Sequence, residues 1–328
     1  MRIFTHRAPL LLLAIALLAL ALTAAASGGD AAGYTYVALG DSFSSGEGVS
    51  PYLRDPADPT SQCDRSSRAY ATWVRPPGFS STVYARASGG GNPGAAHRYG
   101  SSGNVRAAGG TTWALWACSG AETANILPRS LGGAGQGQGS AQLDNASLRT
   151  ADLVTLTAGG NDAGYVGLLV ECGLFRCDTP AFRAQRQARI DALKPKLERV
   201  YSAIAARAPH AQILALGYAN PFPATPSEQS CAALRAFAGE QNMIRFLGAR
   251  LNATIAAAAA SVARNGAKIR FVPVAARFAG HEVCGRKGAW MNGVVQSRTG
   301  FGIDPGSFHP NLRGQRDGYG AAVNAALR

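Results

Sequence analysis

The strongest constraint in this chain is an apolar run that stops at a glycine. Tyr34-Thr35-Tyr36-Val37-Ala38-Leu39 carries no charge and mixes aromatic, β-branched and aliphatic residues. That composition predicts a strand buried on both faces, as in a parallel sheet. It ends at Gly40-Asp41-Ser42, where glycine lets the backbone turn sharply out of the sheet. Ligands of open α/β sheets bind at the carboxyl ends of strands. Ser42 is therefore expected at a sheet mouth, where a hydroxyl can attack a bound substrate if a base and oxyanion donors are found elsewhere.

The pattern recurs. Residues 151–158 read as a second strand ending at Gly159-Gly160-Asn161-Asp162, residues 211–218 as a third and 267–274 as a fourth. Residues 111–118 form a strand or buried apolar segment that ends at Ser119-Gly120, with a helix start near Glu122. Between these lie helical stretches: 179–210, split or kinked by Pro195, and the alanine-rich 231–265, closed by Gly266. Pro310 is placed to open a last helix running through Tyr319 and Val323. Alternating strands and helices predict a parallel sheet covered on both faces, in one α/β domain. Residues 46–109 are polar and rich in Gly, Pro and Ser, and read as a long irregular excursion of the kind that shapes binding sites. Within it, residues 89–94 match G-x-G-x-x-G, but Pro93 and the polar run after it deny the strand–turn–helix context of a dinucleotide site.

The first residues have the layout of a secretory signal peptide. Arg2, His6 and Arg7 precede an apolar stretch from Ala8 to Thr23, and Ala24-Ala25-Ala26 supplies small residues for cleavage after Ala26. The expected organisation is a signal peptide over 1–26 and a single domain over 27–328, secreted to the extracellular space. No later stretch reads as long and apolar enough to span a membrane. The six cysteines, Cys63, Cys118, Cys172, Cys177, Cys231 and Cys284, are an even count behind such a leader and imply disulfides. Sequence alone does not choose among the pairings. Cys172–Cys177 is the most local, and sequential pairing (Cys63–Cys118, Cys172–Cys177, Cys231–Cys284) is the expectation. No C-x-x-C and no Cys/His cluster with zinc spacing occurs, so no metal is expected.

The chain has 32 Lys+Arg against 19 Asp+Glu, a formal +13. The cations are scattered (Arg54, Arg106, Arg207 and Arg313, for example) rather than gathered on one element, which argues against nucleic acid. The plain reading is an Arg-rich soluble surface; the functional one is transient contact with an anionic lipid surface. A monomer is expected.

In a parallel sheet the strand ends share one edge, which brings Ser42, Gly120 and Asn161 together. Acyl transfer needs that grouping, because a serine attacking an ester carbonyl creates an oxyanion that fixed donors must meet. The Ser42 N–H, the Gly120 N–H and the Asn161 side-chain amide are suitable. Of the histidines, His6 leaves with the leader, His210 sits at a helix end, and His97 and His281 lie in loops. His309 precedes Pro310 and a helix start, well placed to reach Ser42 as general base and then acid. Asp41 and Asp162 are expected to bond local backbone, Ser44, Ser45 and Glu47 to support the helix start or site rim, and Trp113 and Trp116 to lie in the core. Phe43, Tyr165, Leu168 and Phe308 are candidates to receive an acyl chain.

Gly40-Asp41-Ser42, Cys118-Ser119-Gly120-Ala121, Gly159-Gly160-Asn161-Asp162 and Ser307-Phe308-His309-Pro310-Asn311, in this order, resemble a secreted SGNH, or GDSL-type, hydrolase of the actinobacterial kind. The resemblance spans essentially the whole mature chain. It implies a flavodoxin-like α/β/α sandwich and ester hydrolysis without a cofactor. It also implies Ser42 as nucleophile, Gly120 and Asn161 as oxyanion donors beside the Ser42 N–H, and His309 as base. Members of the family include lipases, phospholipases, esterases and carbohydrate deacetylases. The expected activity is lipase, esterase or phospholipase action on acyl esters. The alternatives are a polysaccharide O-deacetylase using the same residues and a non-catalytic extracellular binding protein of the same fold. No G-x-S-x-G occurs, which counts against an α/β-hydrolase elbow. One departure stands out. Many members carry an aspartate three residues before the histidine, and here that position is Gly306. Asp304 or the Ser307 carbonyl is left to orient the imidazole, and a Ser–His dyad held by the carbonyl is expected.

Overall fold

In the computed structural model of the chain, the described residues are 33–53, 63–89, 96–98, 103–134, 141–174, 177–225, 238–283, 285, 287–295 and 303–328. The expected signal peptide, most of the glycine-rich 89–94 and the expected Cys231–Cys284 pair lie outside them.

The uncharged runs form the centre of the sheet. β1 (Tyr34–Gly40), β4 (Thr111–Leu115), β5 (Leu153–Thr157), β6 (Gln212–Leu216) and β7 (Ile269–Val272) run parallel. All five residues of β5 are buried, as strands covered on both faces must be. Two further strands, β2 (Ala96–Arg98) and β3 (Asn104–Ala108), extend the edge antiparallel, in the order β2-β3-β4-β1-β5-β6-β7. The five parallel strands follow the doubly wound order of flavodoxin-like folds, with the switch point between β1 and β5.

β2 and β3 correct the irregular reading of residues 46–109. β3 folds back on β4 through Gly109-Gly110, whose φ angles of 54° and 76° are those of a two-residue hairpin turn. The Gly-Gly signal was present. However, Asn104-Val105-Arg106-Ala107-Ala108 alternates only as far as Ala107 and carries a single β-branched residue, a weak signal for a strand.

The helices are α1 (Ser42–Ser45), α2 (Val83–Ala87), α3 (Thr123–Ile126), α4 (Tyr165–Leu174), α5 (Pro180–Asp191), α6 (Leu193–Arg207), α7 (Ala238–Arg264) and α8 (Ala321–Ala326). α5, α6 and α7 pack together. A second group comprises the 3-10 turn Tyr70–Trp73, α2, the π-helical stretch Gly314–Gly320 and α8. With the sheet between the two groups, the architecture is the expected three-layer α/β/α sandwich. The break between α5 and α6 falls at Ala192; Pro195 lies in the first turn of α6, where no N–H is needed. Pro310 instead bridges to Met291, and Asn311 caps the last helical segment by accepting from Arg313 N and Gly314 N. One helix corrects the membrane expectation: α7, at 27 residues, is long and apolar enough to cross a bilayer. Its Leu247, Leu251, Ile255 and Ala259 are fully buried, which marks it as a core helix.

The switch point is pinned by unusual contacts on one residue. Gly40 has φ 118°, and a Cβ there would come within 2.3 Å of the Thr157 carbonyl on β5. Buried Gln142 grips both sides of the same residue, accepting from Gly40 N at 2.7 Å and donating to Gly40 O at 2.8 Å. Replacing Gln142 with Leu strands the Gly40 N–H in the interior and should cost about 1–3 kcal/mol. Urea unfolding at neutral pH measures this; a loss below about 0.5 kcal/mol would show that the amide finds another acceptor.

Candidate active site

Asp41 turns the end of β1 into a helix start. As N-cap of the single-turn α1 it accepts from Phe43 N at 3.1 Å. Its carboxylate also accepts from Thr157 Oγ1 at 2.6 Å and from the Tyr218 hydroxyl, which in turn accepts from Gly160 N at 2.9 Å. Burial pushes Asp41 up to about 6, against the pull of these donors. Asp41 thus ties β1, β5 and the segment after β6 together beneath Ser42. Ser44 adds a second stitch, accepting from Thr157 N at 3.0 Å, and the Ser45 hydroxyl donates to Ser42 O at 3.1 Å.

The loops after β4 and β5 are joined in the same way. Asn161 Nδ2 donates to Ala121 O at 2.9 Å. Asp162 accepts from Thr123 N at 2.8 Å and Thr123 Oγ1 at 2.7 Å. The Cys63–Cys118 disulfide anchors the strand end just before Ser119-Gly120, and Cys172–Cys177 closes a second loop. Gly120 has φ 74°, and a Cβ there would meet nothing within 4 Å. Among the described residues, neither the Ser42 N–H nor the Gly120 N–H is engaged by a backbone acceptor. Ser42, Gly120 and Asn161 stand in the turns that follow three adjacent strands, β1, β4 and β5, as the parallel sheet predicts.

His309 completes the contact. Its Nε2 lies 2.7 Å from Ser42 Oγ and its Nδ1 3.0 Å from Ser307 O. The carbonyl can only accept, so the ring proton belongs on Nδ1 and Nε2 faces the serine hydroxyl as acceptor. Burial pushes the imidazole down from 6.5 to about 4. The Phe43 ring packs against it at 4.9 Å. Of the two candidate orienters, only Ser307 reaches Nδ1. Asp304 Oδ1 instead accepts from Gly306 N at 2.7 Å and makes no hydrogen bond to the imidazole.

The loop carrying His309 is held in a costly shape. Phe308 has φ 60°, a left-handed conformation that a bulky residue adopts only when its surroundings impose it. Asn292 is a main source of that constraint. Its main chain accepts from Phe308 N at 3.2 Å and donates to His309 O at 2.8 Å, and its Nδ2 reaches Gly306 O at 3.0 Å and Gly48 O at 3.2 Å. Nothing in the sequence marked this lone asparagine. Glu47, expected to support the helix start or the site rim, lines a cleft with its side chain buried; its Oε2 lies 3.7 Å from His309 Nε2 and accepts from the Ser119 hydroxyl.

Beside the imidazole, Glu47, Gly48, Tyr52, Asn292, Val295 and Asp304 line a cleft of about 560 Å³. The four residues expected to receive an acyl chain do not line it. Phe43, Tyr165, Leu168 and Phe308 are all buried in the core; Phe43 packs against Tyr218 and Tyr319 as well as His309. Their hydrophobicity serves packing. Trp113 is fully buried, as expected, with Nε1 donating to Ala71 O at 2.9 Å, while Trp116 is partly buried against the core.

A buried serine–imidazole pair at the switch point of a doubly wound sheet, with open amide N–H groups beside it, defines the class of serine-dependent acyl hydrolases. Residues 38–316 match the model of the GDSL-like lipase/acylhydrolase family, and the chain belongs to that family. It is accordingly a carboxylic ester hydrolase of the GDSL type. It is 31% identical over 301 residues to a lipase of Streptomyces rimosus, covering 89% of this chain and 86% of that one. The crystal structure of an extracellular lipase from Streptomyces rimosus superposes with a TM-score of 0.63 at 29% identity, covering 89% of this chain and 99% of that one. The crystal structure of a phospholipase A1 from Streptomyces albidoflavus NA297 does so at 0.62 and 28%, covering 90% and 99%.

The buried imidazole should show itself in solution. The His309 ring is expected to remain neutral, protonated on Nδ1, down to about pH 4, read by its nitrogen shifts in an NMR titration. Because its folded pKa lies below the ordinary 6.5, the unfolded chain binds the extra proton. Stability contributed by His309 is complete above 6.5 and is lost as pH falls toward about 4. His309→Gln should therefore lose less urea stability than the native chain between pH 7 and pH 4.5; an equal loss would contradict the depressed value.

Proposed function

We propose that Ser42 is the nucleophile and His309 the general base of a secreted esterase or lipase that works through an acyl-enzyme. The observation that carries the reading is the 2.7 Å contact of His309 Nε2 with Ser42 Oγ, with Nδ1 held by a carbonyl. As Ser42 Oγ bonds to the ester carbonyl carbon, its proton passes to Nε2. The oxyanion is met by the N–H of Ser42, the N–H of Gly120 and Asn161 Nδ2. Collapse of the tetrahedral species expels the alcohol, which takes the proton from Nε2. Water, activated by the same imidazole, then releases the acid and restores Ser42. Asp304 has no step in this scheme, and the Ser307 carbonyl orients the ring. No cofactor enters.

The substrate is an acyl ester or lipid. Val294 and Val295, 46% and 40% exposed, supply apolar surface at the cleft that Val295 lines. Without Arg2 and Arg7 of the leader the chain keeps 30 Lys+Arg against 19 Asp+Glu, a formal +11 that would aid transient contact with anionic lipid. The two disulfides fit an oxidising, extracellular setting behind a signal peptide over 1–26, with residues 27–328 as one domain acting as a monomer. The carboxylates lining the cleft are the feature that favours the second reading, polysaccharide O-deacetylation.

Ser42→Ala should abolish the burst of p-nitrophenol from a p-nitrophenyl ester and lower kcat at least about 10⁴-fold, as should His309→Ala. Asp304→Asn should keep most of the activity; a collapse comparable to losing His309 would reject the dyad. Activity rising from acetyl to long acyl esters supports the lipase reading, and the reverse order the deacetylase.

A further inference from the structure

The carboxylate that the imidazole lacks at Nδ1 stands on its other side. Gly46, in the left-handed region at φ 86°, ends α1 and turns the chain back, so that Glu47 N donates to Ser42 O at 3.1 Å. This brings Glu47 Oε2 to 3.7 Å from His309 Nε2, with both side chains at most 3% exposed. Oε2 also accepts from the hydroxyl of Ser119, the neighbour of Gly120. Oε1 is buried and has no hydrogen-bond partner among the described residues. A carboxylate kept out of water with one oxygen unpaired is expensive, and among the described residues its only ion-pair partner is the imidazole. Packing alone gives no reason for a charged group there.

We propose that Glu47 is the charge partner of His309: its carboxylate stabilises the imidazolium that forms when His309 takes the Ser42 proton, and its bond to Ser119 keeps the turn carrying Gly120 in register. The inference rests on the Ser42–His309 reading. Glu47 is a positioning and electrostatic residue and takes no proton in the cycle. A carbonyl dipole at Nδ1 fixes the tautomer but supports a full positive charge weakly, and burial already pushes the resting imidazole down to about 4. An opposite charge at 4–6 Å or closer offsets such a penalty by roughly one to three pKa units. The other titratable groups bearing on the pair are Asp304, Asp64 and Tyr52, all acids. None of them could replace Glu47 as the nearest charge, and none is a cation that would mask its loss. Burial raises the pKa of Glu47 and the Ser119 bond lowers it, so the two residues should displace the acid limb of the rate in opposite directions.

The experiment measures kcat, KM and the pH dependence of kcat/KM for a soluble acyl ester, by chromatography of the released alcohol. Glu47→Gln keeps the shape and an acceptor for Ser119. It is expected to lower kcat about 10- to 100-fold with KM within about twofold, and to move the acid limb down by about one pH unit. Ser119→Ala keeps the charge but removes the donor that favours it, and should move the limb up. Ser119→Ala changes one hydroxyl in a turn, so it decides the matter even where Glu47→Gln does not fold. A limb that stays in place in either folded variant overturns the assignment, including the case where kcat falls but the limb does not move. Ser42→Ala, assayed alongside, separates the two levels. Turnover surviving in Ser42→Ala would sink the catalytic pair itself; turnover lost there with a native profile in Glu47→Gln would sink only the role of Glu47.

Discussion

The site depends on one hydrogen bond between groups 267 residues apart, donated by the Ser42 hydroxyl to His309 Nε2. Neither end is free to move. Ser42 opens a helix of one turn at a strand end, with every residue of that turn buried. His309 sits in a loop whose left-handed Phe308 is imposed by Asn292 and by the Ser307 hydroxyl, which accepts from Val295 N at 2.9 Å. A short contact between two loops would cost conformational entropy each time it formed. Here the ordering is completed when the chain folds, so the contact stands ready-made.

Beneath the pair lies a column of buried polar groups rather than a purely apolar core. Asp41, Thr157, Ser44, Tyr70, Thr155 and Tyr36 are linked through Thr157 Oγ1–Asp41, Ser44–Thr157, Ser44–Tyr70, Tyr70–Thr155 and Tyr36–Thr155 contacts of 2.6 to 3.3 Å. Networks of this kind fix geometry when every member is satisfied. Gln315, fully buried in the π-helical stretch, extends the scaffold by accepting from Tyr70 N and donating to Phe43 O. It thereby links the C-terminal elements to the helix turn that carries Ser42.

Much of this was legible because parallel strands enforce a rule: uncharged runs become the sheet, and their carboxyl ends share an edge. That rule alone grouped Ser42, Gly120 and Asn161, and the three-layer fold followed from the alternation of elements. What escaped had no periodic signature. β3, paired between β2 and β4, has too little apolar content to read as a strand, and the three-residue β2 at the sheet edge has less still. Asn292 and Glu47 act by tertiary position, and a single asparagine or glutamate in a loop looks the same whether it is solvated or enclosed. Phe43, Tyr165, Leu168 and Phe308 misled for a related reason: proximity in sequence to site residues does not say which way a ring points. At these positions the rings turned inward.

The acceptor that holds the imidazole belongs to the main chain of residue 307. Every amino acid supplies that oxygen, so no codon change can delete it. An alanine scan would pass over this support without registering it, and drift at the position alters only the hydroxyl. To interrogate the carbonyl one must edit the peptide linkage itself, for instance by semisynthesis with a thioamide, which weakens the acceptor and leaves the side chains untouched.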